Sequence, residues 1–398
     1  MAVAAHLRYL RRLGLVVAGA FAVIAAANLV VDPYGVWNMP AIAGFDATKP
    51  GERDQELMFK AAEIARRRPV NLFLGSSRVD YGFDPRHAPF AHDGASYNLG
   101  FAGGNIDVVL AYYKDALFFQ PAVRHVVIGL DFYTFSAHHE PPATFAAERL
   151  ERRWIDGADA AASLVSLDAL LDSGRAVGAS RRDPASRVYR TDGMAGGDDM
   201  RQRMADEGLR HSFRWILQYF LNQRNRYLGF APSPQALADF AEIVRLSRAR
   251  GIDLTVVMPP EHAMLAEAIR LRGLWCAFWA WKAAIAALTP FWDFTGYNTI
   301  TTEPLDDRMR LYWDAAHFRP AVGDLVLDRM FGVANPALPA DFGRLVTPAT
   351  LGAWRAETEA AQQRWEAAHP DIVAWVAALR QPAGPALASA ACPSLTRE

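Results

Sequence analysis

The sequence predicts an α/β fold: a mostly parallel five-stranded sheet with helices on both faces, joined to an N-terminal transmembrane helix. Three observations predict it. Short apolar runs that end in glycine or a turn alternate with longer amphipathic stretches, the pattern of strands buried on both faces. Hydrophobic residues make up 52% of the 398 and charged residues 21%, which permits a sizeable core and excludes a chain that is disordered throughout. The stretch from Leu13 to Val31 carries no charge. As a helix it spans about 28 Å, the thickness of a bilayer hydrocarbon core.

Taken in order, Arg8, Arg11 and Arg12 precede that stretch and should stay cytoplasmic, sending everything after Asp32 across the inner membrane. Residues 1–31 therefore read as a signal anchor. Ala25 and Ala27 also form a small-residue cleavage site, so a cleaved signal peptide is the alternative, and either way the bulk of the chain is exported. Residues 32–50, rich in proline and glycine, read as a tether. The main domain is expected over 51–345. It opens with an amphipathic helix from Glu52 to Arg68 and a strand from Val70 to Leu74 that ends in Gly75. A second strand runs from Ser96 to Leu99, a helix from Ile106 to Phe119, and a third strand from His125 to Ile128, closed by Gly129. Leu254 to Met258 and Phe291 to Phe294 supply the fourth and fifth strands, with helical stretches over about 233–250 and 262–288. This order of elements predicts that the first three strands lie side by side as 2-1-3, a flavodoxin-like, three-layer arrangement.

Between about 137 and 232 the rhythm breaks into a charged segment with a glycine patch at Gly193 to Gly197 and the run Phe213-Arg214-Trp215-Ile216. It reads as a helical insertion, a cap over one edge of the sheet. Over 346–398, Thr347-Pro348 reads as the start of a charged, peripheral helix to about residue 368, and the Ala/Pro-rich tail after Gln381 as disordered.

Composition also excludes. A formal net charge of −1 argues against nucleic acid as the partner. The two cysteines, Cys276 and Cys392, make neither a zinc knuckle nor a disulfide framework, and leave a single disulfide between them open. His138-His139-Glu140 lacks the i, i+4 spacing of a helical metal site, and Gly100 to Gly104 lacks the spacing and downstream lysine of a phosphate loop. No metal or cofactor is expected. The cluster Trp275, Phe278, Trp279 and Trp281 reads as packing or as a surface near the membrane.

Four segments leave the carboxyl ends of strands or follow the last of them, where open α/β sheets bind ligands. Gly75-Ser76-Ser77-Arg78 offers a serine on a sharp turn beside a helix start, which is equally the place for a cap. Asn98-Leu99-Gly100-Phe101-Ala102-Gly103-Gly104-Asn105 offers glycine amides that can approach an oxyanion, or a flexible turn. Gly129-Leu130-Asp131-Phe132 offers a carboxylate, or a capped turn. In Tyr312-Trp313-Asp314-Ala315-Ala316-His317, an aspartate three residues before a histidine can hold one imidazole nitrogen and leave the other free for a serine proton.

Together, and in this order, the four segments resemble the blocks of the SGNH (GDSL-like) hydrolase superfamily, over about residues 70–331. The resemblance implies Ser77 as nucleophile, His317 as base and Asp314 as its orienting partner. It also implies Gly103 and the Ser77 backbone N–H as oxyanion donors. Two positions depart from the pattern. Ser76 replaces the usual aspartate of the first block, as in the DltD-like and alginate O-acetylation-like members. Asp131 stands where an oxyanion asparagine is expected; either it is neutral, or it turns to Arg78 and Asn98 or Asn105 substitutes. The resemblance further implies acyl transfer or ester hydrolysis on a glycan outside the cytoplasm, through an acyl-serine, beside a membrane-bound O-acyltransferase partner. The alternatives are a lipase-like hydrolase of small soluble esters and a non-catalytic glycan-binding scaffold.

Overall fold

The computed structural model describes residues 2–87, 90–92, 95–306 and 308–381. The chain divides into two compact units, Met1–Arg67 with Thr144–Arg190, and Arg68–Ala143 with Thr191–Glu398.

The second unit is built on one sheet. Its strands are β1 (Asn71–Ser76), β2 (Ser96–Phe101), β3 (His125–Gly129), β4 (Asp253–Met258), β5 (Phe291–Asp293) and β6 (Arg344–Val346), in the order β2-β1-β3-β4-β5-β6. The first five run parallel, and the 2-1-3 order of the first three strands is as the sequence predicts. Leu72, Phe73 and Leu74 are fully buried, as strands covered on both faces must be. Each such side chain contributes about 1.5–3 kcal/mol of burial.

The sheet has six strands instead of the expected five. β6 pairs antiparallel with β5, and only one of its three residues is buried, so it carries no apolar run to betray it. The expected helix over 262–288 is two helices, Ala263–Leu271 and Trp275–Leu288. Gly273, at φ +72°, ends the first. Its N–H bonds to the Arg270 carbonyl at 2.8 Å and that of Leu274 to the Ile269 carbonyl at 3.0 Å, the paired bonds of a glycine C-cap. The late helix begins at Leu351, not at Pro348, because Thr347 to Thr350 close a turn of their own. It is also less peripheral than its charges suggest: Leu351 and Trp365 are buried, and Trp354 Nε1 donates to Asp293 Oδ2 at 2.8 Å. A further helix, Pro370–Ala378, follows it. The expected disordered tail after Gln381 lies outside the described residues.

The Trp-rich helix is packing. Trp279 is fully buried, and Lys282 Nζ lies 4.2 Å from the Phe278 ring centroid while pairing with Asp293 at 2.6 Å. Cys276 is in a disulfide bond; Cys392 lies outside the described residues.

The first unit begins with one helix, Ala2–Val31, of which Val3–Val31 is long and apolar enough to cross a membrane. In the 32–50 segment the Asp32 carboxylate accepts from the backbone N–H of Trp37 and Met39, which fixes the turn after the helix. The expected helix from Glu52 is broken at Gln55 into Gly51–Asp54 and Glu56–Arg67. The segment read as an insertion is helical in both units: Gly157–Leu164 and Leu167–Arg182 in the first, Asp198–Glu207 and Leu209–Asn222 in the second.

Candidate active site

The parallel strands bring their carboxyl ends to one edge, and the connections that leave them carry the candidate residues. β1 ends at Gly75-Ser76. Gly75 holds φ +149°, and a Cβ there would stand 2.6 Å from Val79 Cγ2 and 2.7 Å from the Gly129 carbonyl oxygen, so no other residue fits. The two serines that follow divide the work. Ser76 is the cap, its hydroxyl accepting from the Arg78 N–H at 3.2 Å. Ser77, the first residue of the helix Ser77–Gly82, is left half-buried with its hydroxyl 2.9 Å from His317 Nε2.

His317 lies on a tight turn closed by a Tyr312–Phe318 bridge, just before the helix Pro320–Phe331. Inside that turn Asp314 accepts from the backbone N–H of Ala316 at 2.8 Å and of His317 at 2.9 Å. Both carboxylate oxygens lie 2.9 Å from His317 Nδ1. Burial resists ionisation of Asp314, but the His317 ring and the two amides outweigh it and hold the carboxyl below its usual range. An ionised Asp314 only accepts, so Nδ1 carries the ring proton and the Nε2 lone pair faces Ser77. Tyr81 packs its ring edge-on to His317 at 5.9 Å between centroids.

Asp131, at the end of β3, turns to Arg78. Its Oδ1 lies 2.6 Å from Arg78 Nη1, and Arg78 Nη2 lies 2.9 Å from Glu261 Oε2, beyond the end of β4. All three side chains are buried. The contacts are close enough for ion pairs but off the angles of hydrogen bonds, leaving Arg78 Nη2 and both Asp131 oxygens without such a partner. Burial works against the charge on Arg78; Asp131 and Glu261 overcome it and hold its proton more tightly than usual. Burial, aided by Asp131 and opposed by Arg78, pushes the Glu261 carboxyl up.

Asn98 is not free to replace the expected oxyanion donor. Asn98 is fully buried and spends its amide on the carbonyls of Val79 and Phe83, at 2.8 and 2.9 Å, while its oxygen accepts from the Gly100 N–H. Asn105 donates to the His139 carbonyl at 2.8 Å. Gly103, at φ +65°, is half-buried, and among the described residues its N–H makes no backbone hydrogen bond. Its carbonyl accepts from His139 Nε2 at 2.8 Å. His139 Nδ1 in turn accepts from Arg226 Nη1 at 3.1 Å. These partners fix a neutral imidazole, and burial together with the Arg226 charge depresses its pKa to about 4. Nε2 thereby holds the Gly103 carbonyl and Nδ1 is taken by Arg226, with no lone pair left for a metal.

Arg226 is 7% exposed and lies over the rings of Tyr133 and Tyr219, at 4.3 and 4.8 Å from their centroids. Its Nη2 is 3.5 Å from where a Gly103 Cβ would stand. Sequence reasoning missed both Arg226 and Glu261. Glu261 follows the carboxyl end of β4 and could have been found by the rule that found Asp131. Arg226, inside the helical insertion, has no local signal.

The chain matches no protein-family model and no curated protein.

Proposed function

We propose that the protein is a serine-dependent acyltransferase or esterase of the SGNH kind, acting outside the cytoplasm on O-acyl groups of a cell-surface or exported glycan. The observation that carries this reading is the relay Ser77 Oγ, His317 Nε2, His317 Nδ1, Asp314, with 2.9 Å at each step. The parallel order 2-1-3-4-5 supports a flavodoxin-like arrangement, in which such loops meet at the switch point beside the first strand.

In the proposed reaction the Ser77 hydroxyl adds to the acyl carbonyl as His317 Nε2 takes its proton. Asp314 holds the imidazolium that forms. The backbone N–H groups of Ser77 and Gly103 stabilise the oxyanion, each such donor contributing about 3–4 kcal/mol to the barrier reduction. Collapse expels the donor alcohol, which takes the proton from His317 and leaves an acyl-Ser77 ester. A sugar hydroxyl or water then attacks that ester by the same steps in reverse, with His317 as base. The apolar N-terminal helix supports a place at the inner membrane, beside a membrane-bound O-acyltransferase that would supply the acyl group.

A fluorophosphonate probe tests the nucleophile directly. Wild-type protein should be labelled at Ser77, and Ser77→Ala should lose both the label and turnover of a chromogenic acetyl ester. An unlabelled wild-type chain would favour the non-catalytic scaffold, and undiminished turnover by Ser77→Ala would end the serine reading. Among active outcomes, transfer to a glycan acceptor in preference to water separates the glycan enzyme from a hydrolase of small esters.

A further inference from the structure

Within the first unit, one polar residue in the apolar helix is out of character. Asn28 lies three residues before the helix ends at Val31 and is fully buried. Its Nδ2 donates to the carbonyl of Leu164 at 2.8 Å and reaches that of Ser166 at 3.5 Å, while its Oδ1 accepts from Ser173 Oγ at 2.9 Å. The turn between the helices Gly157–Leu164 and Leu167–Arg182, and the first turns of the second of these, are thus pinned to a single level of the N-terminal helix. That level is about 4.5 Å from its end.

The pinned window is apolar on its outer side. Val165 is 37% exposed, Leu167 67%, Leu170 36% and Leu171 68%. The last three follow i, i+3, i+4 spacing and form one stripe, while Ala169 and Ser173 on the other side of the same helix are buried. Asp168 is the exposed charge on this stretch, and it lies off the stripe. Charge resumes with the Asp172–Arg175 pair at 2.7 Å, and Arg181 and Arg182 are exposed at the distal end, about 21 Å from Leu167 along the helix axis.

We propose that residues 165–171 dip into the bilayer surface beside the N-terminal helix, with Val165, Leu167 and Leu171 in contact with lipid at the boundary of acyl chains and headgroups. This rests on the reading of Val3–Val31 as membrane-crossing. If Leu13 to Val31 fills the hydrocarbon core, Asn28 lies just inside its outer edge, and whatever is pinned to Asn28 shares that depth. Apolar side chains there meet lipid, the solvent that suits them. The first unit would then be held by two contacts, a spanning helix and an interfacial stripe, which fixes its tilt as well as its position.

The test uses the full chain in vesicles of phosphatidylethanolamine and phosphatidylglycerol, with a single nitroxide at Leu167→Cys, Leu171→Cys, Val16→Cys or Arg181→Cys. Collision with oxygen, enriched in lipid, is compared with collision with a water-soluble nickel chelate. Labels at 16, 167 and 171 should be open to oxygen and protected from nickel, and the label at 181 the reverse. Nickel-accessible labels at 167 and 171, with 16 still in lipid, would overturn the proposal and leave the anchor standing; the face would then be open for another protein. Protection of 167 and 171 from both reagents would mean a protein contact, and would also overturn it. A nickel-accessible label at 16 would remove the anchor and the proposal with it.

Discussion

At the scale of the residue, Asp131 decides how the site should be read. A carboxylate facing a developing oxyanion would oppose catalysis, but Asp131 faces Arg78, the residue after Ser77. That partnership was legible, because both residues follow the ends of strands predicted to be neighbours. Glu261, which shares the cation, follows β4 in the same way, but an acidic residue after a strand is ordinarily a cap. One guanidinium thus serves two buried carboxyl groups. Asp131→Asn should leave that cation paired with Glu261, so ester turnover should stay within a few-fold of wild type. Arg78→Met should be far more damaging, because it leaves two carboxyl groups facing each other without a cation. The loss should be about 3–5 kcal/mol in chemical denaturation. Its pH dependence has a definite sign. A carboxyl group whose folded pKa is raised, as for Glu261, contributes stability below its unfolded pKa and loses it as pH rises through the folded value. The Arg78→Met penalty should therefore be smaller at pH 5 than at pH 8. A penalty larger at pH 5 would mean that Glu261 is ionised without Arg78. The triad makes its own demand. Ser77→Ala, His317→Ala and the double variant should be nearly equally inactive, because the members act as a unit. Asp314→Asn should also lose most activity by favouring the wrong tautomer.

At the scale of the element, the apolar runs located five strands, because a buried parallel strand must be apolar on both faces. β6 was invisible for the same reason, being short, half-exposed and an edge. The break at Gly273 was written in the sequence, but a glycine inside an apolar helical stretch does not announce whether it is tolerated or terminates. The helix it ends is capped by His262, whose Nδ1 accepts from the Met264 N–H at 3.3 Å and whose Nε2 donates to the Glu303 carbonyl at 2.8 Å. The Nδ1 contact requires the neutral ring, and burial depresses the pKa to about 4. A histidine with a lowered folded pKa contributes stability above its unfolded value, near pH 6.5. The contribution is lost as pH falls through about 4 and is worth on the order of 3 kcal/mol. His262→Asn keeps a capping side chain without the titration. Its melting temperature should therefore fall less between pH 7 and pH 4 than that of the wild type. Equal falls in the two proteins would remove His262 from the acid limb.

At the scale of the whole molecule, the pattern proposed to be catalytic could be read from four short segments, because chemistry at strand ends needs few residues. The approach of Arg226 to Gly103 could not, because that side chain comes from an insertion far along the chain. The topology, by contrast, rests on bulk physics. Arg8, Arg11 and Arg12 precede the uncharged stretch of the helix, and holding them in the cytoplasm would place the residues after Asp32 on the far side. The alternative, cleavage after Ala25 or Ala27, would leave a chain beginning near Asn28. The hydrogen bonds of Asn28 to Leu164 and Ser173 tie the last turn of the helix to the first unit, and the chain's behaviour in the membrane separates the two outcomes. The intact protein should resist carbonate extraction and retain its first residues by mass spectrometry. Protease added to spheroplasts should digest the chain beyond Asp32 while sparing the cytoplasmic side. A soluble chain starting near Asn28 would refute the anchor but keep the export. Full protection in spheroplasts, with digestion only after lysis, would refute the export itself. The glycan reading would go with it, because Ser77 would then face the cytoplasm.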